Sequence, residues 1–234
     1  MKQINRVVLY FMGLFIIALG INMAILSALG VSPVSAFTVP LSEAVHISLG
    51  TVTAVCYAGF VLIEVIVLGR RFRPKNLLQV PFSIIFGFFV DFIGTLLSSV
   101  NLPNYGVRFA VMLLSVVICA AGAAIYITMD IVPNAPEGLI LAFCVRCQKE
   151  YGPLKILTYC IFVSLGILVS LICLGGVSAI REGTIISALV TGKLTGIFLA
   201  HWRPWLQKIA FGREGNGAVD TMEQEKDRVS KAVF

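Results

Sequence analysis

The sequence predicts an all-α integral membrane protein: six transmembrane helices forming two inverted three-helix repeats, each with a short broken or re-entrant segment. Three observations lead there. Of 234 residues, 58% are hydrophobic and 13% charged. A soluble domain has about twice that charged fraction, and here the apolar residues fall in runs of bilayer-spanning length. Each half of the chain holds a Gly- or Pro-marked break followed by an apolar segment too short to cross. Two spans in corresponding places each carry a lone charge near the middle. These are Asp91 and Lys193, 102 residues apart, each followed at the third position by a glycine, Gly94 and Gly196.

Taken in order, residues 1–6 are a short basic leader and residues 7–29 the first span. That run is too long for a signal-peptide core and lacks a convincing cleavage site, so it is expected to be retained. Gly30-Val31-Ser32-Pro33 ends it and starts a new helix, because Pro suits a first helical turn. Residues 34–44 are apolar but fall short of the ~20 needed to cross. They read as a half-helix. Residues 49–68 form the second span, 69–75 a basic loop, 79–99 the third span and 100–106 a polar turn.

The pattern then recurs. Residues 107–129 are the fourth span, 130–136 a Pro-rich break, 137–147 a second short helix, 154–174 the fifth span, 175–178 a turn and 183–200 the sixth span. Residues 201–211 set Trp202, Trp205, Leu206 and Ile209 among Arg203 and Lys208, which reads as an interfacial segment with an aromatic belt. The membrane domain is thus expected over 1–211, with repeats over about 7–100 and 107–200. The polar stretch 212–234 reads as a disordered cytoplasmic tail.

Positive charge sets the orientation. Lys2 and Arg6, Arg70 to Lys75, Arg146 to Lys155, and Arg203 with Lys208 all fall on one side of a six-span chain. The other side keeps only Arg108 and Arg181. By the positive-inside rule both termini are expected to be cytoplasmic. The net charge of +6 therefore belongs to short loops, and no nucleic-acid partner is expected. Six cysteines lie mostly within apolar stretches, where Cys behaves as a small hydrophobe.

Three spans per half put the second half in the membrane from the opposite side, as in secondary transporters built on inverted repeats. The broken segments at 30–44 and 130–147 would then flank a midplane site. Their helix N-termini can hold an anionic group through free N–H groups and the helix dipole. The plainer alternative is that Pro and Gly merely end helices at the surface.

Asp91 lies about 18 Å along its helix from Gln79, and Lys193 about 16 Å from Glu182. Each is then well inside a core about 30 Å thick, where a lone charge is costly. The two are expected to meet, either as a solute or proton site or as an ion pair locking the halves together. Arg181, Glu182 and Thr184 can grip an anion beside a helix N-terminus. Alternatively Arg181 snorkels and pairs with Glu182. Glu137 suits a helix start as a cap, or lines a cavity with Asn22, Ser32 and Asn134. Glu64, close to Arg70 and Arg71, reads as interfacial. Cys144-Val145-Arg146-Cys147 lacks further ligands for zinc. No phosphate loop, nucleophile elbow or zinc-protease motif occurs. Neither a cofactor, a metal nor an enzymatic activity is expected.

In the run from Arg181 to Lys193, REGTIISALVTGK, the chain resembles bacterial membrane proteins of the YczE/YyaS/YitT type. The Gly30–Pro33 run and the two-fold repeat fit that resemblance, which covers roughly residues 6–200. It implies a bacterial plasma-membrane protein of several spans and supplies no substrate. Two functions follow as expectations. The first is a small secondary carrier of a small anionic or zwitterionic solute, proton-coupled through Asp91. The second is a membrane-embedded solute-binding or accessory subunit of a larger importer. The partners expected are a small-molecule solute and the lipid bilayer, with a homo-oligomer or a partner membrane subunit as the protein contact. The first span offers no clean small-residue stripe for such a contact, and Ala120 with Ala124 in the fourth offers a weak one.

Overall fold

The computed structural model describes residues 2–176 and 179–211. All regular structure among these residues is helical. Eight α-helices follow in order: α1 (Lys2–Ser27), α2 (Ser35–Val45), α3 (Leu49–Leu68), α4 (Gln79–Leu97), α5 (Tyr105–Met129), α6 (Ala135–Cys147), α7 (Tyr151–Val169) and α8 (Glu182–Phe211). Short 3₁₀ turns at Gly69–Arg71 and Pro74–Leu78 join α3 to α4, and a π-turn at Ser170–Leu174 extends α7. Among the described residues, six segments are long and apolar enough to cross a membrane: Ile4–Ser27, Leu49–Arg71, Pro74–Leu97, Tyr105–Met129, Tyr151–Leu174 and Glu182–Ala210. In lipid a helix satisfies its own backbone polar groups, so apolar runs of this length have little alternative. The chain is a multi-pass membrane protein. The tail expected at 212–234 lies outside the described residues.

Polar residues punctuate the helices. Ser48 caps α3 by accepting from the Thr51 amide, and Asn104 caps α5 by accepting from Val107. Asn134 starts α6, accepting from the Ala135 amide at 3.1 Å, with Pro136 in the first turn. These oxygens satisfy amides that the first helical turn leaves without partners. Four non-glycine residues at helix ends adopt the left-handed conformation: Ala28, His46, Asp130 and Gln148, with φ between 46° and 52°.

The centre is an antiparallel pair, α1 and α5. Gly13 and Gly122 let the two backbones touch: a Cβ on Gly13 would come 2.9 Å from the Gly122 carbonyl oxygen, and one on Gly122 would come 2.7 Å from that of Gly13. Close backbone approach through small residues is how membrane helices gain packing energy where lipid gives no hydrophobic drive. The small stripe of the first span is therefore Gly13 and Gly20, seven residues apart. The sequence reading missed it by following residues four apart.

An arginine closes each end of this pair. At one end the Arg6 Nε and Nη2 donate to the carbonyls of Met129 and Asp130, both at 2.6 Å. At the other, the Arg108 Nε and Nη2 donate to Ser27 and Ala28, at 2.7 and 3.4 Å. Each guanidinium thus covers the bare carbonyls at the partner helix's C-terminus and complements its dipole.

α4 lies beside α1 and α8 beside α5. α3 packs along α4, α6 on α3 and α2 on α7. Tyr10, Leu14, Ala18, Phe86, Val90, Tyr126 and Met129 form the middle of the core. Phe37 stacks on Phe162, and Phe162 on Phe60, carrying the core across to α2 and α7. α8 runs unbroken to Phe211 through Pro204, so residues 201–211 continue the helix of the sixth span. Leu206 and Ala210 are buried, and Trp202 stacks on Phe198 at 4.5 Å. Trp205 is exposed on the same helix.

Candidate functional site

Asp91 and Lys193 do not meet. Asp91 projects from α4 onto the first turn of α3. There its Oδ2 accepts from the Ser48 hydroxyl and its Oδ1 from the Gly50 amide, both at 2.7 Å. The acid is an N-cap supplied by a neighbouring helix: it satisfies an orphan amide and sits at the positive end of the α3 dipole. Gly50 and Gly87 make this possible, because a Cβ on either would collide with the other's carbonyl. Lys193 is exposed on α8, and no hydrogen bond or ion pair holds it among the described residues. The expected pairing fails because α8 packs on α5 and α1, which carries Lys193 away from α4.

The other expected residues fall into two groups. At the end of α1, the Arg181 guanidinium lies 3.4 Å from the Glu182 carboxylate and donates to the Ala28 carbonyl at 3.2 Å. Tyr105 donates to Glu182 at 3.3 Å, and buried Thr184 accepts from the Arg181 amide at 3.4 Å. Arg181 is thus engaged with backbone and carboxylate. Asn22 is buried, and its Nδ2 donates to the carbonyls of Ala18 and Val90 at 3.0 Å, which ties α1 to α4. Ser32 bonds the Ser35 hydroxyl at 2.9 Å and accepts from the Ser35 amide, starting α2.

Asn134 and Glu137, both partly exposed, lie together at the start of α6. Glu137 is the third residue of α6. Its carboxylate is within electrostatic reach of Tyr10 on α1, Tyr57 on α3, Tyr126 on α5, and Tyr151, Lys155 and Tyr159 on α7. Its Oε2 is sealed from solvent and has no hydrogen-bond partner among the described residues. Burial raises the Glu137 carboxyl above its ordinary value, against the lowering effect of Lys155 and of its own backbone amide. The Lys155 ammonium sits over two rings, 5.6 Å from the centre of Tyr151 and 5.4 Å from that of Tyr159.

Glu64 is enclosed by protein groups near the turn that joins α3 to α4. It is 1% exposed, and its two oxygens accept from Asn76 and Gln79. Gly138 on α6 lies against it, leaving room for the carboxylate.

The sequence reading named Asn134 and Glu137 but missed the tyrosines and Lys155. The i, i+4, i+8 spacing of Tyr151, Lys155 and Tyr159 was the available signal. A cleft of about 470 Å³ lies elsewhere, lined by Leu9, Met12, Ile125, Trp202, Trp205 and Leu206. None of these carries a formal charge, so we place the candidate site at Glu137 instead.

No curated protein and no solved structure matches the chain significantly. The chain does match a family of unknown function, DUF6198, over residues 4–200. That match spans all six apolar segments except the last turns of α8. The protein belongs to the DUF6198 family.

Proposed function

We propose that the protein is a small secondary carrier for a small anionic or zwitterionic solute, built from two inverted halves. In this reading the face bearing Arg6 and the 69–78 turns is cytoplasmic, in a bacterial inner membrane. The relation to YczE/YyaS/YitT-type proteins belongs to the same proposal.

The observation that carries the reading is a set of reciprocal contacts at the offset of 102. Arg6 caps α5 as Arg108 caps α1. The left-handed residues Ala28 and His46 correspond to Asp130 and Gln148. Gly166 on α7 meets Ala36 on α2, while Gly138 on α6 meets Glu64 on α3. Adding 102 to Ala36 gives Gly138, and to Glu64 gives Gly166.

The pattern is broken between α3 and α4. α3 and α4 are joined through Gly50, Gly87 and Asp91, whereas the corresponding α7 and α8 scarcely touch. A Cβ on Gly152, the counterpart of Gly50, would meet no heavy atom within 4 Å. Two like halves in unlike conformations are what alternating access about a central site requires. In the opposite state α7 and α8 close, Lys193 approaches Glu150 at the α7 N-cap, and α3 parts from α4.

The test is disulfide trapping in membranes, in a background lacking the native cysteines, with uptake measured in liposomes. The pairs S48C/D91C and E150C/K193C should each cross-link, and locking either should stop uptake. Uptake that survives both locks refutes the exchange. Uptake that appears only with a co-purifying ATPase favours the accessory-subunit reading.

A further inference from the structure

We propose that Glu137 and Lys155 form the two poles of the solute site, and that its ligand is a small zwitterion with its ammonium group at Glu137 and its acid group at Lys155. This rests on the carrier reading and names the substrate class.

Two acids, Glu64 and Glu137, are held differently. Glu64 has both oxygens occupied by amide donors of the chain, Asn76 and Gln79. An acid kept for structure is satisfied in that way, because a buried polar group without a partner is expensive. Glu137 has a sealed oxygen with nothing bonded to it. A donor from outside the chain would complete it.

Lys155 supplies the opposite sign. It lies one turn into α7, within electrostatic reach of Glu137, yet no ion pair joins the two among the described residues. The Tyr151 and Tyr159 rings hold its ammonium from two sides. Opposite charges kept near each other but unpaired suit a ligand carrying both signs. An anion alone would meet the Glu137 carboxylate, and a cation alone would meet Lys155.

The walls agree. Tyr10, Tyr57 and Tyr126 approach from three other helices, and aromatic faces attract an ammonium group. Tyr10 and Tyr126 stand edge to face at 6.0 Å, so their orientation is fixed before any ligand arrives.

The test uses purified full-length protein and three matched probes: β-alanine, propionate and ethylamine. β-Alanine should raise Tm in a concentration-dependent way, while the two single-charge probes should not. Glu137→Gln and Lys155→Met, confirmed folded by size exclusion, should each weaken β-alanine binding about tenfold to hundredfold, the loss of one charge-assisted hydrogen bond. Lys155→Arg should retain binding.

No response to β-alanine overturns the proposal, as does an equal response to propionate or ethylamine, or unchanged binding in both variants. If Glu137→Gln does not fold, Lys155→Met and Lys155→Arg decide alone. Binding without uptake in liposomes would leave this site standing and remove the carrier reading.

Discussion

Removing the Asp91 carboxylate tests whether this intramembrane acid caps α3 or locks the halves together through Lys193. It accepts two hydrogen bonds at 2.7 Å, from the Ser48 hydroxyl and the Gly50 amide. Hydrogen bonds to a charged group contribute about 1.5–3 kcal/mol each. Asp91→Ala forfeits both and leaves the amide of buried Gly50 without that acceptor, so a loss of about 3–5 kcal/mol is expected. Asp91→Asn keeps an acceptor for Gly50 and loses the charge, so about 1–2 kcal/mol is expected. The assay is equilibrium unfolding in mixed detergent micelles, run as a double-mutant cycle. Asp91→Ala with Ser48→Ala should show coupling of about 1–2 kcal/mol. Asp91→Ala with Lys193→Met should be additive, and Lys193→Met alone should cost under about 0.5 kcal/mol. Coupling of Asp91 to Lys193 but not to Ser48 would refute the cap.

Three further outcomes follow from the packing and the interior acid. Gly166→Ala drives a methyl into the Ala36 carbonyl and should cost about 1–3 kcal/mol, whereas Gly152→Ala meets no neighbour and should be tolerated; thermal unfolding separates them. Arg6→Ala and Arg108→Ala should each destabilise by about 1–3 kcal/mol, since each removes charge-assisted bonds to bare helix carbonyls. Glu137 is raised above its ordinary value of 4.5, so its protonated form is the one favoured by folding. Its stabilising contribution is complete below pH 4.5 and is lost as pH rises through the folded value. Glu137→Gln should flatten that part of the stability–pH curve, and an unchanged curve would count against a sealed, unpartnered carboxylate oxygen.

The sequence by itself determined the spans, the two breaks and the short helices after them. The reason is physical: lipid offers a backbone no hydrogen bonds, so long apolar runs become helices and Pro or Gly marks their ends. Tertiary structure alone decided what each polar residue touches. These helices are apolar on every side, so no stripe in the sequence says which face meets a neighbour. Hence Asp91 read as the partner of Lys193 until the packing of α3 on α4 gave it Ser48 and Gly50. Glu64 read as a neighbour of Arg70 and Arg71, and the packing gave it Gln79 and Asn76 as partners. The convergence of tyrosines from α1, α3, α5 and α7 on Glu137 depends on four helices meeting. Only the packed bundle brings them together.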